Sequence, residues 1–189
     1  MTEIIELSTD RLMLRQWQDG DKGRFAEINA DPDVMEYYPA PLSKSESDAM
    51  ADKLKGLIMA RGWGFWAIEV TSTQEFIGFV GLHIPTYELP VKNCVEIGWR
   101  LAKESWGKGY ATEAANESLK FAFEKLRLNE VYSFTSVINK RSWAVMERIG
   151  MHNTNLNFNH PIVPKDSILS EHYLYKIDRE SWLEKMCNN

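Results

Sequence analysis

The chain is poor in cysteine. It has two cysteines in 189 residues, Cys94 and Cys187. Two distant cysteines give neither a disulfide framework nor the paired spacing of a zinc site. We therefore expect a fold that does not depend on disulfides and a site without a metal.

Long apolar runs and a basic surface are also missing. No stretch approaches the roughly 18 apolar residues of a membrane helix, and the N-terminus has no apolar signal-peptide segment. The formal net charge of −5 argues against a general nucleic-acid surface. It suits a cationic amine substrate, although solubility alone explains it as well. We expect a cytoplasmic monomer or homodimer without a membrane or nucleic-acid partner.

The pattern of apolar residues predicts an α+β architecture. A chain of 189 residues with 44% apolar content can form an ample core, so we predict a single domain over residues 1–189. Strands are predicted at residues 12–17, 64–70, 76–84, 95–101, 130–137 and 168–177. Helices are predicted around residues 25–29, from the capping box of Ser43 and Glu46 to residue 61, and at residues 111–125, 140–149 and 179–186. The strand–helix–strand unit over residues 95–137 should supply one parallel pair in a mixed, mostly antiparallel sheet flanked by helices.

Two glycines mark the turn from the strand at residues 95–101 to the following helix. Gly107, Lys108 and Gly109 stand in the run Trp-Gly-Lys-Gly-Tyr-Ala-Thr, which opens that helix. A helix start has unpaired N–H groups and the positive end of the dipole, so glycines there can seat a phosphate on the backbone. A plain tight turn is the alternative. The Rossmann and P-loop patterns both fail here, so a phosphate would need a third kind of loop.

The rest of the chain resembles a known family. The run Trp106-Gly-Lys-Gly-Tyr-Ala-Thr-Glu-Ala114, and the later Asn139-x-x-Ser142 followed by Arg-Ile-Gly-Met151, resemble the GNAT superfamily of N-acetyltransferases. Within this superfamily, the chain resembles the RimJ/RimL branch of ribosomal-protein N-terminal acetyltransferases. The resemblance implies a GNAT fold whose parallel strands splay apart, and transfer of acetyl from acetyl-coenzyme A as co-substrate to an amine.

The resemblance also implies which residues bind the coenzyme. The backbone of Trp99, Arg100 and Leu101 would pair with pantetheine, and Asn139 would hold it, although Asn139 is also a good helix N-cap. The loop and first helical turn would surround the pyrophosphate, through Trp106, Gly107, Lys108, Gly109, Tyr110, Ala111 and Thr112. A solvated side chain remains an alternative for Lys108.

Two positions depart from the family pattern. Glu104 stands where Gln or Arg is usual, which removes any side-chain contact made from that position. Met146 stands where many members have a tyrosine general acid, and methionine cannot donate a proton. In the resembled branch a nearby serine is the usual candidate, which here is Ser142. A serine that only caps the helix or faces water is the alternative.

Glu96 lies on the strand beside the expected acetyl site. An attacking amine must lose a proton, and a carboxylate can accept it directly or through water. An outward-facing strand residue or an ion-pair partner is the alternative. Cys94 suggests an acyl-cysteine route, but a buried structural cysteine is the better interpretation.

The acceptor side is the least defined part of the site. By the resemblance, Glu36, Tyr37 and Tyr38 would line the acceptor pocket. We predict direct acetyl transfer to an amine, with a peptide N-terminal α-amine favoured. An α-amine has a pKa of about 7.7–8.0, against about 10.4 for lysine, so it is easier to present neutral. A small amine or antibiotic acceptor, or a non-catalytic acyl-coenzyme A-binding module, remains open.

Overall fold

The computed structural model describes residues 2–187. The chain forms two compact units, and it crosses between them three times. Unit 1 extends to Leu82 and continues over Gly98–Ser118, and unit 2 comprises His83–Ile97 and the chain from Leu119 onward. The predicted single domain over residues 1–189 stays a prediction.

Unit 1 combines an antiparallel set of strands with two helices. Its elements are β1 (Leu7–Ser8), β2 (Leu12–Arg15), α1 (Asp21–Ala30), α2 (Lys44–Arg61), β3 (Phe65–Val70), β4 (Glu75–His83), most of β5 (Glu96–Leu101) and the start of α3 (Tyr110–Glu124). Strands β1 to β4 pair in chain order, each antiparallel to the next. The predicted β3–β4 hairpin is therefore confirmed.

The predicted start of α2 is confirmed in detail. The Ser43 side chain accepts the backbone N–H of Glu46, and the Glu46 carboxylate accepts the N–H of Ser43. This reciprocal capping box satisfies two N–H groups that the first helical turn leaves without intrahelical partners. The helix ends at Gly62, whose φ of 84° is the left-handed conformation that glycine adopts without strain.

Aromatic rings fill the core of unit 1. Trp17 packs edge-on against Phe25 with ring centroids 4.9 Å apart, and both rings meet Phe76 and Phe79. The buried indole N–H of Trp17 donates to the carbonyl of Phe65 at 2.8 Å. Helix α1 is thereby fixed to the hairpin, since its Phe25 ring packs against Phe76 and Phe79 of β4.

Unit 2 is organised around one long strand pair. Its elements are β6 (Glu130–Ser136), α4 (Lys140–Arg148), β7 (His152–Asn153), β8 (Phe158–Asn159), β9 (Glu171–Asp178) and α5 (Arg179–Cys187). Strand β6 pairs antiparallel with β9, which also pairs with β7 and β8. Glu96 of β5 pairs in parallel register with Tyr132 of β6. The predicted α+β class is confirmed: a mixed, mostly antiparallel sheet with one parallel pair, flanked by helices.

The structure departs from the predicted elements in short segments. Strands β1, β7 and β8 have two residues each and were not predicted. The strand expected from residue 168 begins at Glu171, because Ser170 closes a turn by donating its N–H to the carbonyl of Ser167. Within residues 2–187, no helix is both long and apolar enough to cross a membrane.

Candidate active site

The glycine loop of unit 1 has the backbone geometry of an anion seat. Gly107 and Gly109 have φ values of 72° and 81°, in the left-handed region where other residues are strained. The Gly109 carbonyl accepts the N–H of Glu113 at 3.0 Å, so the first N–H groups of α3 have no helical partner. A Cβ built on Gly107 would meet no heavy atom within 4 Å. The space facing the loop is open to a ligand.

Arg11 holds this loop, and sequence reasoning missed it. Its guanidinium donates to the carbonyl of Lys108 at 3.0 Å, pairs with the Glu113 carboxylate, and lies 4.7 Å from the centre of the Tyr110 ring. Burial alone would raise the pKa of Glu113, but hydrogen bonds from Thr9 and Arg11 outweigh it and leave this pKa lowered. Arg11 is 97 residues from Lys108 and 102 residues from Glu113, so no local signal could have shown these contacts.

The residues before the loop are also fixed. The indole N–H of Trp106 donates to the carbonyl of Leu101 at 2.9 Å. That carbonyl therefore already has one partner, and the pantetheine pairing with Trp99, Arg100 and Leu101 stays a prediction. Glu104, at the position where the family has Gln or Arg, forms an ion pair with Arg24 of α1.

The remaining predicted residues of unit 1 divide into two sets. Ala111 and Thr112 are half-buried in the first turn of α3, Trp99 is half-buried, and Lys108 is exposed. On the predicted acceptor side, Glu36 is exposed, Tyr37 is half-buried, and the Tyr38 ring lies over the guanidinium of Arg100. The structure thus brings Tyr38 to a side chain of the predicted coenzyme strand.

In unit 2, Glu96 is buried, with 8% of its surface exposed. The outward-facing alternative for this residue is therefore wrong. Burial raises the pKa of Glu96 to about 8, because an ionised carboxylate loses its hydration there. A carboxyl with this pKa can both take and give a proton near neutral pH, as a general base must.

The start of α4 places Asn139 and Ser142 together. The Asn139 side-chain oxygen accepts the N–H of Ser142 at 3.2 Å, and its amide donates to the Thr135 hydroxyl at 3.0 Å. Asn139 is thus the N-cap of α4, as the alternative interpretation held. Ser142 is half-buried and does not cap the helix. Met146, in the position of the family tyrosine, is a buried packing residue.

Two further polar groups near this helix start were not predicted. The Ser136 hydroxyl and the indole N–H of Trp143 are buried and have no hydrogen-bond partner among the described residues. Buried polar groups are normally paired, so both are available to a bound polar molecule. A sequence shows residue types but not unsatisfied atoms, which is why they escaped notice.

Cys94 is buried close to Glu96, and its surroundings do not activate its thiol as a nucleophile. Burial, and to a lesser extent the Glu96 charge, raise the pKa of the Cys94 thiol. The thiolate is the nucleophilic form, so the environment of Cys94 disfavours an acyl-cysteine intermediate.

Comparisons with known proteins agree on one family. Residues 11–152 match the family model described as "Acetyltransferase (GNAT) domain". The FsC-acetyl coenzyme A-N(2)-transacetylase of Aspergillus fumigatus is 33% identical over 164 residues, which are 83% of this chain and 69% of that protein.

Solved structures show the same fold. A GNAT-family acetyltransferase from Bacillus anthracis superposes with a TM-score of 0.77 at 24% identity, over 93% of this chain and 99% of that one. The spermidine N-acetyltransferase from Vibrio cholerae, in complex with CoA and spermine, superposes with a TM-score of 0.71 at 20% identity. The match covers 93% of this chain and 99% of that one.

The chain therefore belongs to the GNAT acetyltransferases. It is an acetyl-coenzyme A-dependent N-acetyltransferase, and of the two classes left open by the sequence, the enzyme is the correct one.

If the glycines seat the coenzyme through their backbone, Gly107→Val and Gly109→Val will weaken acetyl-coenzyme A binding much more than Lys108→Ala. A β-branched residue at position 107 fills the open space, one at position 109 meets the Arg11 guanidinium, and both are strained at φ values of 72° and 81°. The exposed lysine contributes only a screened charge. Isothermal titration of the three variants measures the difference.

Two control variants distinguish blocked access to the loop backbone from backbone strain. Gly107→Asn keeps the left-handed conformation at little cost and still adds a side chain, and Gly20→Val changes a glycine with a φ of −63° at the start of α1. Equal loss of affinity in Gly107→Val, Gly109→Val and Lys108→Ala, all folded, would show that the backbone seat is mistaken.

Proposed function

We propose that this enzyme acetylates an α-amine, at a peptide N-terminus, by direct transfer from acetyl-coenzyme A. The predicted RimJ/RimL-like branch is part of this proposal, as are the cytoplasmic location and the monomeric or homodimeric state. Both substrates bind together, and the amine attacks the thioester carbonyl without an enzyme-bound acetyl group.

The observation that carries the proposal is the buried Glu96. Burial raises its pKa to about 8, and the pKa of an α-ammonium is about 7.7–8.0. A base with this raised pKa accepts a proton more easily from an α-ammonium than from the ammonium of a lysine side chain, whose pKa is about 10.4. The raised pKa of Glu96 therefore favours an α-amine over a lysine side chain as acceptor.

The other residues bind and orient. The N–H groups of Gly107, Lys108 and Gly109 hold the pyrophosphate, supported by Arg11. The first turn of α3, with Tyr110, Ala111 and Thr112, adds the positive end of the helix dipole. The backbone at Trp99, Arg100 and Leu101 aligns pantetheine, and Trp106 fixes the end of β5 by its hydrogen bond to the Leu101 carbonyl.

Ser142 supplies the proton for the leaving thiolate in this proposal. It is the predicted acid, its hydroxyl is not used as the helix cap, and Met146 cannot replace it. Cys94 takes no part, because its raised pKa keeps the thiol protonated. Glu36, Tyr37 and Tyr38 belong to the acceptor side.

A small amine is the second candidate acceptor. The Aspergillus relative, at 33% identity, is named FsC-acetyl coenzyme A-N(2)-transacetylase, and the Vibrio structure is that of a spermidine N-acetyltransferase. These names describe those proteins. They make a non-peptide amine the alternative that an experiment must include.

We expect the highest kcat/KM for peptides with a free α-amine. The panel contains such peptides, the same peptides with a blocked N-terminus and a free lysine, and polyamines. Thiol release measures turnover, and mass spectrometry locates the acetyl group. Faster turnover of the polyamines or of the lysine peptides would contradict the proposed acceptor.

A further inference from the structure

Unit 1 buries two arginines, and they differ in how their charge is balanced. Arg15 is 7% exposed and pairs with two carboxylates, Asp21 at 2.9 Å and Glu69 at 2.8 Å. Arg100 is 8% exposed, and no carboxylate among residues 2–187 forms an ion pair with it. The charge of Arg15 is neutralised within the fold, whereas that of Arg100 is not.

The contacts of Arg100 are with neutral groups. Its Nη1 donates to the side-chain oxygen of Asn29 at 2.7 Å and approaches the sulfur of Met50 at 3.7 Å. Its guanidinium carbon lies 4.2 Å from the centre of the Tyr38 ring and 5.6 Å from that of Phe79. These contacts orient the guanidinium without supplying negative charge.

One edge of this guanidinium is unused. Nε is buried and has no hydrogen-bond partner within the described part of the chain, and both hydrogen bonds of the group use Nη1. The edge formed by Nε and Nη2 is the fork that binds carboxylates in bidentate fashion. A buried charge without a partner is costly, so a fold that retains one is prepared for an anion.

Tyr38 covers the guanidinium from the acceptor side. Tyr38 is 36% exposed and therefore lies outside the buried core. The side-chain amide of Asn29 donates to the Ser47 hydroxyl at 2.8 Å, and its backbone carbonyl accepts the N–H of Leu42. Asn29 is thus held by its own hydrogen bonds where it fixes Nη1, whereas Tyr38 is the partly exposed side of the guanidinium's surroundings.

We propose that Arg100 anchors a carboxylate of the acceptor substrate, and that Tyr38 moves aside to admit it. This inference rests on the proposed acetylation of an amine and adds that the accepted amine also has an anionic group. For a peptide acceptor, that group is an acidic side chain near the N-terminus.

The test uses acceptor peptides that differ only by Asp or Asn, or by Glu or Gln, at the second or third position. We expect the wild-type enzyme to favour the acidic peptide by about 10- to 100-fold in kcat/KM, the range for a hydrogen-bonded charge. Arg100→Gln should abolish the preference, and Arg100→Lys should retain part of it. A merely structural Arg100 would lower both members of a pair equally and leave the ratio unchanged.

Arg15→Lys is the matched control, because it alters the other buried arginine. It should lower stability while preserving the acidic preference. Equal turnover of acidic and amide peptides by the wild-type enzyme, or an unchanged ratio in Arg100→Gln, would overturn the proposal.

A binding measurement keeps the inference testable if no amine is acetylated, which would refute the proposed function alone. Protein labelled with ¹⁵N-arginine is titrated with glutarate and with glutaramide, and the Arg100 Nε signal is identified by its loss in Arg100→Lys. We expect glutarate to shift this signal and glutaramide not to. No shift with glutarate would overturn the proposal, as would a shift with acetyl-coenzyme A alone, which would assign the edge to the coenzyme.

Discussion

Glu96→Gln should lower kcat/KM near pH 8 by about 10²–10⁴-fold, the contribution of a positioned general base. Glutamine keeps the size and the oxygen of the side chain but cannot accept the proton of the attacking amine. Acetyl-coenzyme A affinity should stay close to that of the wild-type enzyme, because Glu96 acts on the amine. Steady-state kinetics and a binding titration on the same preparation measure both quantities.

The pH dependence should identify Glu96 as the base. Burial raises its pKa to about 8, so the rising limb of kcat/KM against pH should lie near pH 8 in the wild-type enzyme and become shallower in Glu96→Gln. Glu130→Gln is the control, since Glu130 is an exposed carboxyl in the same unit. A wild-type profile in Glu96→Gln would remove Glu96 from the mechanism.

Glu96→Gln should lower activity but raise the free energy of unfolding. The pKa of Glu96 is raised from 4.5 to about 8 by folding, so the ionised carboxylate destabilises the folded state. This cost is absent below about pH 4.5, grows as the pH rises, and is complete above about pH 8. A tenfold change in an ionisation constant corresponds to about 1.4 kcal/mol. Glu96→Gln should therefore be several kcal/mol more stable than the wild-type enzyme at high pH, and urea unfolding near pH 5 and near pH 9 measures the difference.

The sequence predicted the larger elements because their signals are local. The Ser43 and Glu46 capping box, the hairpin turn after Val70, and the glycines before α3 each act within a few residues. The two-residue strands β1, β7 and β8 have no comparable signal. Such a short strand exists because a longer neighbour pairs with it, and that pairing depends on the tertiary structure.

The burial of the polar positions of β5 does not follow from their pattern in the sequence. Alternation of Ile97 and Leu101 with polar residues is also typical of a strand with one solvated face, on which Glu96 and Arg100 would be exposed. Both are buried instead. A strand covered on both faces buries even its charged residues, and the polar positions of β5 show no sign of this in the sequence. The raised pKa of Glu96 and the unpaired charge of Arg100 both follow from that burial.

Contacts between distant residues account for the rest of the site. Arg11 with Lys108 and Glu113, and Arg24 with Glu104, join segments far apart in the chain. The residue at position 104 departs from the family pattern, and its ion pair with α1 gives it a structural role. Motif matching located the loop, and only the fold shows what braces it.

Ser142→Ala should lower kcat by about 10²-fold while leaving acetyl-coenzyme A affinity and stability nearly unchanged. A positioned acid contributes about 10²–10⁴-fold, and the low end applies because a thiol is already a fair leaving group. Stability should hold because Asn139 caps α4 through the N–H of Ser142, which alanine retains. Steady-state kinetics and a melting curve on one preparation test both expectations.

Asn139→Ala is the matched control for this prediction. It removes the cap, which typically costs about 0.5–2 kcal/mol, and also the bond to Thr135. Its melting temperature should therefore fall clearly, whereas that of Ser142→Ala should not. A slow but stable Ser142→Ala enzyme identifies the hydroxyl as the proton donor. If Ser142→Ala keeps the wild-type kcat, the thiolate leaves without help from this side chain, and Ser142 has no catalytic role.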